Sequence, residues 1–242
     1  MSNSLQFESQ VGLRDVEVTP HFLPANPSSV LYRCGGTIVL CTASIAAEVP
    51  GWMAGRGTGW VTAEYSMMPG STAPRKSRDR GGKIDGRTTE IQRLIGRSLR
   101  AAVDMDALGE SMITVDCDVM QADGGTRTAS ITGGFMAMAM AIRSLHPSVT
   151  IGTPPIVDSV AAISVGVVDG EVVADLDYVR DSAADVDMNV VTTGEGGFVE
   201  IQGTGERSTF NDDQLAALLA AAKRGTAELS RIQQRVLQAT QK

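Results

Sequence analysis

Three groups of residues in this chain could do chemistry. The first is Asp123-Gly-Gly-Thr-Arg-Thr, where Gly124 and Gly125 are followed at once by Thr126, Arg127 and Thr128. Glycine takes positive φ without steric cost, so the pair predicts a sharp turn. A helix beginning just after it would aim free N–H groups and the positive end of its dipole at the turn, which is how proteins hold an anion. Arg127 adds a planar fork suited to a phosphate. The same residues would also serve as a plain turn with Thr128 as the helix N-cap, and the local pattern leaves both readings open. The second group is Arg87, just ahead of another helical pattern and able to reach an anion held by a neighbouring element. The third is a run of carboxylates, seven between Asp169 and Asp187 against the single Arg180. In it, Asp181 and Asp187 are spaced to converge on one ion. Paired carboxylates suit a hard cation such as Mg²⁺, and crowding them separates their pKa values so that one can supply a proton.

The elements that position these residues follow from periodicity. Ile113, Val115, Cys117 and Val119 alternate with polar residues and predict a strand leading into the glycine turn. Ala129 to Leu145 is an apolar run of helical length, in which Gly133 and Gly134 mark close backbone packing. A helix is expected from about Thr88, with Ile91, Leu94, Ile95, Leu99, Ala102 and Val103 on one face and Arg93, Arg97 and Arg100 on another. Val30–Cys34 and Thr37–Ile45 form a hairpin about Gly35-Gly36, and Trp60–Met67 a further strand. Val160–Val168 and Glu171–Val179 pair about Asp169-Gly170, and Val190–Thr193 pairs with Phe198–Gly203. Asn211 caps one helix, and a second is expected from about Thr226 to Gln238. Arg14–Thr19 reads as a short strand and the rest of the first 27 residues as loop. Strands then helices, twice over, indicate an α+β fold.

Composition narrows the function classes. The chain has 242 residues, 43% hydrophobic and 20% charged, with a net charge of −7. Residues 70–100 nevertheless carry nine Lys or Arg against three acids. A basic segment in an acidic chain points to a localised polyanionic partner. Three cysteines without a CxxC pair indicate neither a disulfide framework nor a cysteine zinc site. His21 and His146 are the only histidines, which disfavours a Ser-His-Asp triad or a His-ligated metal. No GxxxxGK[ST] motif occurs, no membrane span is suggested, and the start of the chain lacks a signal peptide's pattern. The expectation is a soluble cytoplasmic protein that performs phosphoryl transfer on a polyanion.

Longer motifs then carry a resemblance. Gly86-Arg-Thr-Thr-Glu-Ile-Gln-Arg-Leu-Ile-Gly-Arg-Ser-Leu-Arg-Ala, the stretch from Asp116 to Gly133, Asp181-Ser-Ala-Ala-Asp-Val-Asp-Met-Asn-Val-Val, Gly59-Trp-Val-Thr-Ala-Glu-Tyr and Ile201-Gln-Gly-Thr-Gly-Glu are similar to bacterial ribonuclease PH, from about Val30 to the last helix. The resemblance implies a single ribonuclease PH domain over 1–242, with 1–27 a divergent N-terminal segment. Its fold would have mixed sheets and packed helices about a β-α-β core. The implied activity is phosphorolytic 3′→5′ exoribonuclease, or tRNA nucleotidyltransferase: inorganic phosphate releases nucleoside diphosphates from tRNA precursors and other RNA 3′ ends, with Mg²⁺, in a homo-hexamer built as a trimer of dimers. Carried over by motif position, Arg87, Gly125, Thr126 and Arg127 bind phosphate. Asp181 and Asp187 serve metal binding and proton donation, and Arg75 and Arg78 contact RNA. Asp116 and Asp118, on the strand before the turn, are then structural. The family's opening Asp-Gly-Arg is absent, and Leu13-Arg-Asp-Val stands where Leu-Arg-Pro-Val is usual. Two rivals are a catalytically silent RNA-binding ring subunit of the same fold and a small-molecule phosphate enzyme.

Overall fold

The structure is a computed structural model that describes residues 4–78 and 85–240; Arg80 and Lys83 of the basic segment lie outside the described residues. Its first half is a six-stranded sheet. The strands are β1 (Leu5–Phe7), β2 (Val16–Pro20), β3 (Ser29–Cys34), β4 (Thr37–Ala46), β5 (Trp60–Met67) and β6 (Met112–Gln121), in the order β1-β2-β3-β4-β6-β5. All neighbours are antiparallel except β5 and β6. A parallel pair needs a crossover, and α1 (Gly86–Arg100), followed by the single turn α2 (Met105–Leu108), supplies it. This is the expected β-α-β unit.

The second half is a four-stranded antiparallel sheet of β7 (Val160–Val168), β8 (Glu171–Ala174), β9 (Val186–Thr193) and β10 (Phe198–Gly205), ordered β10-β9-β7-β8. Between the two sheets runs α3 (Thr126–Leu145), which touches β3, β4 and β6 on one side and β7 on the other. That position explains its composition. From Thr128 to Ile142 every residue is buried, so Ala, Met and Gly face packing partners in all directions rather than along one stripe. A Cβ on Gly133 would lie 2.9 Å from Cys41 Sγ and 3.0 Å from Tyr32 Cβ, so the close packing expected there is met. One continuous hydrophobic core draws on both sheets.

Four local expectations need correcting. First, β8 stops at Ala174 instead of running to Val179. Asp175 takes φ 57°, which breaks the strand, and the Asp177 side chain accepts a hydrogen bond from Arg180 N–H to cap a short helix, α4 (Tyr178–Ala183). Second, the two C-terminal helices are one, α5 (Asp212–Ala239), opened by a capping box between Asn211 and Gln214. Gly225 lies inside α5 where a Cβ would collide with Ile163, so it serves packing and not termination. Third, Leu5–Phe7 is an edge strand and not loop. Fourth, α3 starts at Thr126, so Thr128 lies in its first turn and donates its hydroxyl to the Gly125 carbonyl at 2.8 Å.

Candidate active site at the N-terminus of the central helix

The centre of the site is the turn between β6 and α3. Gly124 has φ 72° and Gly125 φ 63°, the left-handed region that glycine enters freely. A side chain on Gly124 would also strike the backbone of Leu176 and Asp177, so here the second half of the chain presses directly on the turn. Gly125 is the N-cap of α3 and has no side-chain cap. The first N–H groups of a 20-residue helix therefore point outward without intrahelical partners, next to the positive end of its dipole.

Six of the eight expected site residues line one open cavity of about 590 Å³: Arg87, Gly125, Thr126, Arg127, Asp181 and Asp187. Arg87 comes from the first turn of α1, which Asp85 caps by accepting from Thr88 N–H at 2.6 Å. The Arg87 side chain forms no ion pair with any described residue. Arg127 is held from behind: its Nη1 donates to Gln202 Oε1 at 3.1 Å and lies 3.4 Å from Glu90 Oε2. Gln202 in turn donates to Glu90 and Glu200, at 3.1 Å each. Thr126 Oγ1 shares a 2.9 Å hydrogen bond with the buried Tyr65 hydroxyl. Arg75 and Arg78 are exposed and do not line the cavity, although Thr72, on the same coil, does.

The two aspartates come from different elements. Asp181 lies in α4, and Asp187 in β9 between Gly166 of β7 and Thr204 of β10. Burial and then the neighbouring Asp181 carboxylate push Asp187 up to about 6, against the pull of Arg127. Burial also raises Asp181, with Arg87 and Arg127 opposing. One oxygen of Asp187, Oδ1, is buried without a hydrogen-bond partner. An unpartnered carboxylate oxygen beside a second carboxylate suits either a retained proton or a hard cation. Among the described residues no three His, Cys, Asp or Glu side chains converge. Two carboxylates fit Mg²⁺, which commonly takes its remaining ligands from water and substrate phosphate, and fit a closed all-protein cage poorly.

The raised value of Asp187 has a thermodynamic consequence. Since the folded value exceeds the ordinary 3.8, the stability linked to protonated Asp187 is fully present below pH ~3.8 and is lost as pH rises through about 6. After discounting for solvent access, the ionised carboxylate costs on the order of 1–2 kcal/mol at pH 8. Asp187→Asn should therefore raise the melting temperature of metal-free protein at pH 8 by about 2–8 °C and leave it unchanged near pH 4. Calorimetry at the two pH values checks this, and an equal shift at both would contradict it.

Sequence reasoning missed Arg14, Asp175, Tyr65 and Gln202, which hold the site from outside. Arg14 and Gln202 each fall within a stretch compared with the family, yet nothing in local periodicity says what they touch. Asp116 and Asp118, set aside as structural, sit on β6 away from the cavity; burial and then the nearby Glu64 raise both. All three cysteines are buried free thiols. No helix among the described residues is long and apolar enough to cross a membrane.

Comparison with known proteins gives the same frame. The 3′ exoribonuclease family models match in two parts, domain 1 over residues 12–143 and domain 2 over residues 158–225. The chain is 64% identical over 226 residues to ribonuclease PH of Rhodopirellula baltica, covering 91% of this chain and 92% of that protein. It is 56% identical to ribonuclease PH of Listeria monocytogenes, covering 93% and 92%, and 54% identical to that of Neisseria meningitidis, covering 94% of each. The fold is similar to that of rice Rrp46 (TM-score 0.75, 16% identity, 96% of this chain and 98% of that one). It is also similar to an RNA-bound exosome chain of Archaeoglobus fulgidus (TM-score 0.73, 18% identity, 92% and 89%). With family models matching most of its length and relatives above half identity over nearly all of it, the chain belongs to the ribonuclease PH family of 3′ exoribonucleases.

Proposed function

We propose that this chain is a phosphorolytic 3′→5′ exoribonuclease that trims tRNA precursors and other RNA 3′ ends. The observation that carries the reading is the meeting, in one cavity, of an uncapped helix N-terminus with two arginines and a carboxylate raised to about 6, well above the ordinary carboxylate range. Inorganic phosphate rests on the N–H groups at Gly125–Arg127, with the Arg127 fork and Arg87 as clamps. One of its oxygens attacks the phosphorus of the terminal phosphodiester. The new P–O bond forms as the bond to the 3′ oxygen of the preceding nucleotide breaks, giving a nucleoside diphosphate and an RNA one nucleotide shorter. Asp187 protonates the departing 3′ oxygen. Mg²⁺, held by Asp181 and Asp187, would supply charge neutralisation at the phosphoryl oxygens. The remaining catalysis is positioning and electrostatics, as usual for phosphoryl transfer.

In this reading Arg75 and Arg78 meet the RNA backbone upstream of its 3′ end; their exposure, on the coil that includes the cavity residue Thr72, supports it. The two family domains act as one unit about their shared core, and a cytoplasmic homo-hexamer of three dimers is the assembly proposed. The test is incubation of an oligoribonucleotide with Mg²⁺, with and without phosphate. Nucleoside diphosphates formed only with phosphate are expected; monophosphates formed without it would replace phosphorolysis by hydrolysis.

A further inference from the structure

The N-terminal segment reaches the site through one side chain. Arg14 lies just ahead of β2, and its side chain is only 15% exposed. Its Nη1 donates to the Asp123 carbonyl at 2.6 Å, so it grips the backbone of the glycine turn. Its Nη2 donates to Asp175 Oδ1 at 2.6 Å, and its own backbone N–H donates to Asp175 Oδ2 at 2.9 Å. The guanidinium also packs under Gly125, where a Cβ would stand 3.2 Å from Nη2.

Asp175 is equally committed. It is buried, takes positive φ, and donates its N–H to the Ser164 carbonyl at 2.7 Å. A third carboxylate contact comes from the Cys34 thiol, which donates to Oδ2 at 3.4 Å. Two residues on, Asp177 caps α4, the helix that carries Asp181. Tyr178 N–H also closes back on Asp123 Oδ1 at 3.3 Å. One buried ion pair thus spans the junction between the turn of the first half and the carboxylate segment of the second.

We propose that Arg14 and Asp175 form a positioning clamp that sets the phosphate-binding turn against the Asp181 helix and fixes the affinity for phosphate. Neither side chain lines the cavity, so neither touches substrate. The clamp acts through the Asp123 carbonyl, whose placement orients the Gly124-Gly125 peptides and the first N–H groups of α3. Thr37 holds the other side of the same turn: its hydroxyl donates to the Gly124 carbonyl at 2.7 Å and accepts from Asp123 N–H at 3.0 Å. With Arg14 removed the turn backbone loses its charged anchor and keeps the neutral Thr37 contacts, with the long Tyr178 N–H bond to the Asp123 side chain beside them. Small displacements in a positioned site have large kinetic effects.

The inference rests on the reading above that Gly125–Arg127 hold the phosphate, and its test separates the two. Arg14→Ala, Asp175→Asn and Arg127→Ala are assayed with an oligoribonucleotide and varied inorganic phosphate. Asn tolerates the left-handed backbone of Asp175, so Asp175→Asn removes the charge while keeping the conformation, and it carries the test should Arg14→Ala not fold. KM for phosphate is expected to rise roughly ten- to hundredfold in Arg14→Ala and Asp175→Asn, with KM for RNA within about twofold of wild type. Added guanidinium ion should restore phosphate affinity to Arg14→Ala. A folded variant with a lowered melting temperature and an unchanged KM for phosphate would make the pair merely structural and overturn the proposal. An unchanged KM for phosphate in Arg127→Ala would remove the phosphate assignment, and the clamp's role with it.

Discussion

Arg127→Ala is expected to lose phosphate-dependent turnover by about two to three orders of magnitude, chiefly through KM for phosphate. A charge-assisted hydrogen bond contributes about 1.5–3 kcal/mol, and a bidentate fork makes two. The helix N-terminus remains and supplies the residual binding. Arg127→Lys keeps the charge and loses the fork, so it should fall between wild type and the alanine variant. Because Gln202 and Glu90 hold Arg127 from behind, removing it also leaves Glu90 and Gln202 without their shared partner. The half-buried Asp181 and Asp187 then lose a favourable charge and should rise further. Steady-state kinetics with phosphate varied at saturating RNA checks this. A fall in kcat with KM for phosphate unchanged would put Arg127 at the leaving group and not at the nucleophile.

Asp187→Asn is expected to do the opposite. Its kcat should drop by about 10²–10⁴, the usual worth of a positioned general acid, with KM for phosphate little changed. The fold should survive, since the substitution removes an ionised group that is costly to bury. The same change therefore raises stability at neutral pH and destroys turnover, a combination expected when strain is kept for function. Asp181→Asn should also slow kcat, because Asp181 is the neighbour that, after burial, raises Asp187. Retention of full kcat in Asp187→Asn would remove it from the chemistry.

Much of this site is legible in the sequence because its chemistry sits at the ends of strongly patterned elements. The alternation from Ile113 to Val119 and the apolar run after Ala129 bracket the glycine turn, so periodicity places the turn at a helix N-terminus, while only the longer motifs choose between an anion site and a plain turn there. The amphipathic pattern of α1 sets Arg87 at a helix start, able to reach an anion held by a neighbouring element, and the fold brings it to the same cavity. Asp181 and Asp187 are recognisable as a pair, although the loop expected between them is partly helix and partly strand. What stays hidden depends on contacts distant in sequence. Arg14 meets Asp175 across 161 positions, and Gln202 meets Glu90 across 112. No local period encodes such pairings. The break expected before Thr226 does not occur, for a related reason: a glycine in isolation weakens a helix, whereas Gly225 packs closely against Ile163 on another element. The strand expected to reach Val179 fails at Asp175, whose backbone bends to meet Arg14.

The arrangement also divides the arginines of the basic segment and the glycine turn by what they meet. Arg87 and Arg127 face the cavity, whereas Arg97 is paired with Glu200, and Arg100 stacks 4.5 Å from the Trp60 ring centre. Sequence charge alone does not separate those that meet substrate from those that pack; partner geometry does. On the proposed reading, the exposed Arg75 and Arg78 are the arginines that meet RNA.

The most direct test of the central claim is the fate of phosphate oxygen. With an oligoribonucleotide, Mg²⁺ and inorganic phosphate labelled with oxygen-18, mass spectrometry of the released nucleotide should find a diphosphate whose β-phosphoryl group carries the label. Arg127→Ala should strongly reduce its yield at limiting phosphate. A nucleoside monophosphate bearing solvent oxygen, formed at the same rate without phosphate, would contradict the account.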